Sequence, residues 1–166
     1  RISALKSTWA TKGCTPMVKT CISKRGRVNA IGMLIVSPGW RKISLSLSLH
    51  RKNITGTEIH RALIRLLKRV KGPIMVLWDQ NGIHKVPCIQ KLLERHPRLQ
   101  IFDLPTAAPE LNPSEGIWSQ MEEGLAGTAP KTVDELDTNV KRVGARTRNS
   151  PSRLWACIAQ SDLPVN

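Results

Sequence analysis

Between Ile43 and Leu49 the chain reads ISLSLSL, a strict alternation of serine with branched aliphatic residues. A period of two gathers Leu45, Leu47 and Leu49 on one face of an extended strand and scatters them around a helix. This segment is therefore expected to be a half-buried strand. Upstream, Val28 to Val36 is almost continuously apolar, the pattern of a central strand covered on both faces. Ser37-Pro38-Gly39 ends it. A third short run, Met17 to Ser23, precedes the tetrapeptide Lys24 to Arg27, KRGR, which reads as a hairpin turn with Gly26 supplying the unusual backbone angle. Three strands joined by short turns predict an antiparallel meander.

The period then changes. Ile59, Ala62, Leu63, Leu66, Leu67 and Val70 follow helical spacing, with Arg61, Arg65 and Lys68 on the polar side. Gly72-Pro73 stops that helix, and Ile74 to Trp78 reads as a fully apolar strand with Trp78 buried and Asp79 at its carboxyl end. A helix is expected from Lys85 to Glu94, with Pro87 in its first turn, and a strand from Leu99 to Leu104. Helices follow over Asn112 to Leu125, Thr132 to Arg146 and Ser152 to Ala159. Thr132 and Glu135 have the spacing of a capping box. This order predicts an α/β fold, a mixed sheet flanked by helices. With 166 residues and 40% hydrophobic content, one domain spanning residues 1–166 is expected.

Charge narrows the partners. The formal net charge is +14, and it is concentrated: residues 1–70 hold fifteen Lys and Arg against one acid, Glu58, while the remaining residues hold eleven of each sign. A one-sided basic field of that size favours a polyanion and makes its binding salt-sensitive. Lys24, Arg25, Arg27, Arg61, Arg65 and Lys68 are the candidates for phosphate contact. Cys14, Cys21, Cys88 and Cys157 are scattered, with no histidine at zinc-finger spacing, which argues against structural zinc. No signal peptide and no bilayer-length apolar run occur, so a reducing intracellular compartment with free thiols is expected. The five tryptophans read as core or hairpin packing in preference to base-stacking platforms.

Two acids stand where chemistry is possible. Asp79 ends an apolar strand, the edge at which ligands gather in open α/β sheets, and Glu115 sits in the first turn of a helix; thirty-five residues lie between them. Each has a local explanation too. Asp79-Gln80-Asn81-Gly82 fits a simple turn, and Asn112, Pro113 and Glu115 fit a helix cap. Taken together, the two carboxylates match what a divalent-metal phosphoryl-transfer site needs, because ions about 4 Å apart are held by ligands from different parts of a fold.

TWATKGCTP (Thr8 to Pro16), VLWDQNGIHK (Val76 to Lys85) and LPTAAPELNPSEGIWSQ (Leu104 to Gln120) resemble, in order and spacing, the catalytic core of DDE transposases of the Tc/mariner superfamily, in its bacterial insertion-sequence branch. The resemblance covers nearly the whole chain. It implies a ribonuclease H-like fold, three acids binding two Mg2+ or Mn2+ ions, and DNA strand cleavage and strand transfer by in-line displacement at a phosphate. Asp79 would be the second acid and Glu115 the third, both catalytic and metal-binding. Asn81, His84 and Asn112 would be their neighbours. The implied partners are transposon-end and target DNA and further copies of the chain, with no membrane, in a bacterial cytoplasm at the nucleoid.

The chain also departs from that family. Its first acid belongs to a first strand, yet no Asp or Glu occurs from Arg1 to Thr57. The first strand is therefore expected to be missing, the chain truncated at its N-terminal side, and residues 1–166 inactive alone. Met121-Glu122-Glu123 stands where relatives carry a lysine, the spacing of thirty-five is about one residue longer than the commonest version, and the helix-turn-helix region is absent. Two rivals stay open: a non-catalytic basic nucleic-acid-binding domain, and a remnant of a decayed mobile element.

Overall fold

The structure, a computed structural model, describes residues 27–80, 82–84 and 86–163, the side chain of His84 excepted. The expected strand Met17 to Ser23, the turn residues Lys24 and Arg25, the first matching motif Thr8 to Pro16, and Asn81 lie outside the described residues.

Strand β1, Asn29–Val36, pairs antiparallel with β2, Ile43–His50, in register from Asn29 opposite His50 to Val36 opposite Ile43. Helix α1, Gly56–Arg69, leads to β3, Ile74–Trp78; helix α2, Pro87–Arg95, leads to β4, Leu99–Asp103. β3 and β4 are parallel, from Ile74 beside Leu99 to Trp78 beside Asp103. Helices α3, Ser114–Leu125, α4, Val133–Arg148, and α5, Pro151–Ala159, complete the chain.

Two hydrophobic cores result. One gathers Ile59, Leu63, Leu66 and Leu67 of α1, Ile89 and Leu92 of α2, Ile74 and Leu99. The other gathers Leu45 of β2 with Ile117, Met121 and Leu125 of α3, Val140 and Val143 of α4, and Leu154 and Cys157 of α5. Strand β1 serves both, since alternate side chains leave opposite faces of a strand. Ile31, Met33 and Ile35 pack against the first core and Leu34 against the second. Between them Gly32 passes under the Trp118 indole, where an added Cβ would lie 2.9 Å from a ring carbon.

The fold corrects several expectations. Among the described residues the strands form two separate two-stranded sheets, one antiparallel and one parallel, and not one mixed sheet. Every residue of β1 is half-buried, not enclosed, because β2 is its one hydrogen-bonded neighbour among the described strands. β3 buries one face: Ile74 is buried while Met75 is 68% exposed and Leu77 is also exposed. Trp78 is half-buried, and its indole N–H donates to Asp103 Oδ1 at 2.8 Å. The capping box at Thr132 is half formed. Thr132 Oγ1 accepts from the Glu135 N–H at 3.1 Å, but the Glu135 carboxylate accepts instead from the Lys131 N–H at 2.6 Å.

A complete box stands unforeseen at the start of α1. The Thr55 N–H donates to Glu58 Oε2 at 2.9 Å, while Thr55 Oγ1 accepts from the Thr57 N–H at 3.3 Å. At the other end of α1, Arg98 donates to the carbonyls of Leu67 at 2.6 Å and of Val70 and Gly72 at 2.7 Å. The Leu67 oxygen is among the acceptors a helix leaves without intrahelical partners, while Val70 is the cap residue and Gly72 lies just beyond it.

Candidate functional site

Asp79 follows β3 directly and is exposed. Its backbone is pinned from both sides to the strand alongside. The Leu104 N–H donates to the Trp78 carbonyl at 2.8 Å, extending the β3–β4 ladder by one rung, and the Gln80 carboxamide donates to the Leu104 carbonyl at 3.2 Å. This brace from Gln80 is a feature that sequence reasoning missed, since Asp-Gln-Asn-Gly read only as a turn. After Gly82–His84, a short helical turn, Ile83 and Val86 pack closely on Gly56 at the start of α1. His84 therefore keeps its place in the chain near Asp79, with its side chain outside the described residues.

From Leu104 the chain passes through the short turn Pro109–Leu111 to Asn112 and α3. Asn112 Oδ1 accepts from the Ser114 N–H at 3.1 Å, and its carbonyl accepts from the Glu115 N–H at 3.0 Å. The cap expectation is thus half right. Asn112 turns the chain into the helix, Pro113 stands just before the first helical residue, Ser114, and Glu115 does not close a box. The Glu115 side chain is exposed and makes no hydrogen bond or ion pair with any described residue. Asp134, in the first turn of α4, pairs with Arg51, and the contrast with Glu58 and Glu135 is direct. The carboxylates of Glu58 and Glu135 are engaged by nearby backbone N–H groups, and the Thr55 hydroxyl and N–H hold the Glu58 carboxyl below its ordinary pKa. α3 is anchored behind Glu115: Gly116 lies against Cys157, and Gln120 donates to the Arg153 carbonyl at 2.9 Å.

The described residues contain no group of three or more Asp, Glu, His or Cys side chains able to hold a metal ion. By themselves Asp79 and Glu115 do not fit a two-metal centre. Both described cysteines are free thiols, and burial pushes the Cys157 thiol up. Of the basic candidates, Arg27 is exposed beside the start of β1. Arg61, Arg65 and Lys68 line the solvent face of α1 over about 10 Å of its axis, all exposed, with Arg61 3.5 Å from Glu58. No helix among the described residues is long and apolar enough to cross a membrane.

A parallel strand pair carrying an acid at its carboxyl end, an antiparallel hairpin, and a helix that opens on a second acid define an α/β fold. The chain belongs to the DDE superfamily endonucleases, whose family model matches residues 2–137. Solved structures agree on the fold. The crystal structure of the catalytic domain of Mos1 mariner transposase is similar with a TM-score of 0.50 at 15% identity, covering 84% of this chain and 83% of that one. The Mos1 strand transfer complex reaches 0.56 at 16% identity over 81% of this chain. The Mos1 mariner paired end complex with Mn reaches 0.57, also at 16%. The chain spans 49% and 50% of the Mos1 chains in these two complexes. No curated protein sequence matches it significantly.

Proposed function

We infer that this chain is the greater part of a transposase catalytic core, which cleaves and transfers DNA strands in transposition. Asp79 and Glu115 serve as two of its three metal-binding, catalytic acids. The observation that carries the reading is Glu115: a first-turn carboxylate directed to solvent and used by no cap, on a helix whose approach runs beside Asp79. Asn81, His84 and Asn112 are its proposed neighbours. Lys24, Arg25, Arg27, Arg61, Arg65 and Lys68 are its proposed contacts with the DNA backbone. Transposon ends and target are the proposed substrates, in keeping with the DNA of the Mos1 paired-end complex with left transposon end. Self-association of the complete core, an insertion-sequence origin and a bacterial, nucleoid-associated setting belong to the same reading.

The third acid must come from sequence outside Arg1–Thr57, which holds no carboxylate. We place it on a strand between β1 and β3 that would join the two sheets into one ribonuclease H-like sheet within a single domain. Both strands pack on the α1 core without pairing to each other among the described residues. The completed acid set would hold Mg2+ or Mn2+; residues 1–166 alone do not cleave DNA.

The test is nicking of supercoiled DNA by residues 1–166 and by the chain extended through its upstream coding sequence. The extended protein should nick with Mg2+ or Mn2+ and lose nicking with Asp79→Asn or Glu115→Gln. An extended, folded protein that carries an upstream acid and still never nicks would sink the assignment. With no three-ligand cluster among the described residues, the second reading is a non-catalytic DNA-binding domain. Under that reading binding is independent of Mg2+ and both substitutions leave it unchanged.

A further inference from the structure

Trp40 stands apart from the other tryptophans among the described residues. It closes the turn Pro38–Trp40 between β1 and β2 and is 43% exposed, the one tryptophan among the exposed large hydrophobics of the described residues. Its backbone is left-handed, φ 57°, directly after Gly39 at φ 67°. A bulky side chain rarely adopts that conformation, and a turn that needed only the angle would be served by Gly or Asn. The turn is nonetheless rigidly set. The Ser37 N–H donates to the Lys42 carbonyl and the Lys42 N–H to Ser37 Oγ, both at 2.8 Å, and the Trp40 N–H donates to the Ser37 carbonyl at 3.1 Å. One side of the indole is backed by Trp155 of α5, with ring centroids 6.0 Å apart at 45°, within the range of a favourable aromatic pair. The next two residues, Arg41 and Lys42, are exposed cations, and the nearest acid in sequence is Glu58.

We propose that Trp40 is a stacking platform for an unpaired base of a DNA strand, with Arg41 and Lys42 holding the flanking phosphates. This rests on the nucleic-acid part of the reading above and extends it to a second contact surface outside the acids. An aromatic face accepts any base, and neighbouring cations neutralise the backbone it hangs from. A rigid tip presents that face without an ordering cost at the moment of binding. Packing of the hairpin accounts for the Trp155 contact, but not for a tryptophan left 43% exposed at a left-handed backbone position.

The experiment measures binding of residues 1–166 to a single-stranded oligonucleotide and to the blunt duplex of the same length, at several salt concentrations. Trp40→Leu keeps an apolar contact with Trp155 but has no π face, and Trp40→Phe restores one. The expected result is about tenfold weaker single-strand binding for Trp40→Leu, substantial recovery for Trp40→Phe, and duplex binding within about twofold of wild type. The double variant Arg41→Ser, Lys42→Ser should flatten the salt dependence on both DNAs. Equal single-strand affinity for wild type and Trp40→Leu, with wild-type duplex binding intact, overturns this inference alone. So does a loss by both Trp40 variants that is equal on the two DNAs. A wild-type chain that binds neither DNA overturns the nucleic-acid reading, and this surface with it.

Discussion

Replacing Arg98 with alanine isolates one side chain that ties α1, β3 and β4 together. Its guanidinium donates to three carbonyls at the carboxyl end of α1, those of Leu67, Val70 and Gly72. Its own carbonyl accepts from Ile74 N–H at 2.7 Å, at the start of β3. The Gly72 bond is exposed, so water replaces it at little cost; the other two are partly buried. A bond to a charged donor contributes ~1.5–3 kcal/mol. The lower end for each of the two sheltered bonds, with a few tenths for a cation at a helix carboxyl terminus, gives a loss of about 3 kcal/mol. For a chain of this size that lowers Tm by about 6–12 °C. Arg98→Lys keeps the charge but, as a point donor, reaches fewer carbonyls, and about half of the loss should remain. Urea unfolding followed by tryptophan fluorescence and circular dichroism measures both, with the exposed Arg95→Ala as a control expected within about 0.5 kcal/mol of wild type. If Arg98→Ala costs less than about 1 kcal/mol, or lysine serves as well as arginine, three convergent carbonyls are not what this residue stabilises.

Three further outcomes follow from the same geometry. Glu115→Gln removes a carboxylate with no partner among the described residues, so its unfolding midpoint should match wild type while divalent-dependent nicking by the upstream-extended protein disappears; a clear loss of stability would return Glu115 to a structural role. Gly32→Ala drives a methyl into the Trp118 ring, and ~1–3 kcal/mol of destabilisation with an altered tryptophan emission is expected; an unchanged midpoint would show that the indole moves aside freely. Glu58 has a folded-state pKa below its ordinary value, through its bonds from Thr55, so its contribution is complete above the ordinary glutamate pKa and is lost as pH falls through the lowered one. The urea midpoint of wild type should exceed that of Glu58→Gln near pH 6 and converge with it as the pH falls below the ordinary glutamate range; a gap that persists in strong acid would assign the effect to side-chain size.

The order of elements was legible because the chain changes hydrophobic period where its structure changes. Leu45, Leu47 and Leu49 do share the face that packs on α3–α5, and α1 follows the heptad-like apolar run read for it. Burial was less legible. An all-apolar strand such as Ile74 to Trp78 gives no sign of which face finds a partner, and here the side bearing Met75 and Leu77 stays exposed. Caps were read from a spacing that two segments share. Thr55 with Glu58 completes its box, while Lys131 lies one residue upstream of Thr132 and takes the Glu135 carboxylate first. Arg98 carried no signal, since a lone arginine before a strand looks like any surface cation until α1 is seen to end against it. Sequence placed the candidate acids Asp79 and Glu115 at the strand end and helix start where the structure has them, and the structure supplied what spacing omits: Glu58 is consumed by a cap and Glu115 is not.

The two candidate acids belong to different cores, and that division bears on how the proposed site would be assembled. Asp79 rides on the β3–β4 pair and the α1–α2 core, whereas Glu115 rides on α3, packed against β1, β2, α4 and α5. Several links join these bodies among the described residues. They include β1, whose opposite faces enter both cores, the bond from Arg69 of α1 to Ser44 Oγ of β2 at 3.0 Å, and the connection from Leu104 through Asn112, tied to Asp79 by Gln80. On the proposed reading, a strand between β1 and β3 would add a further link made of backbone hydrogen bonds to both of its neighbours. The same strand would bring the acid that Arg1–Thr57 lacks. Completing the sheet and completing the metal site are then one event. The separation of Asp79 from Glu115 would be set by a strand's width, and an ion could bind tightly only after the two cores had been brought into register.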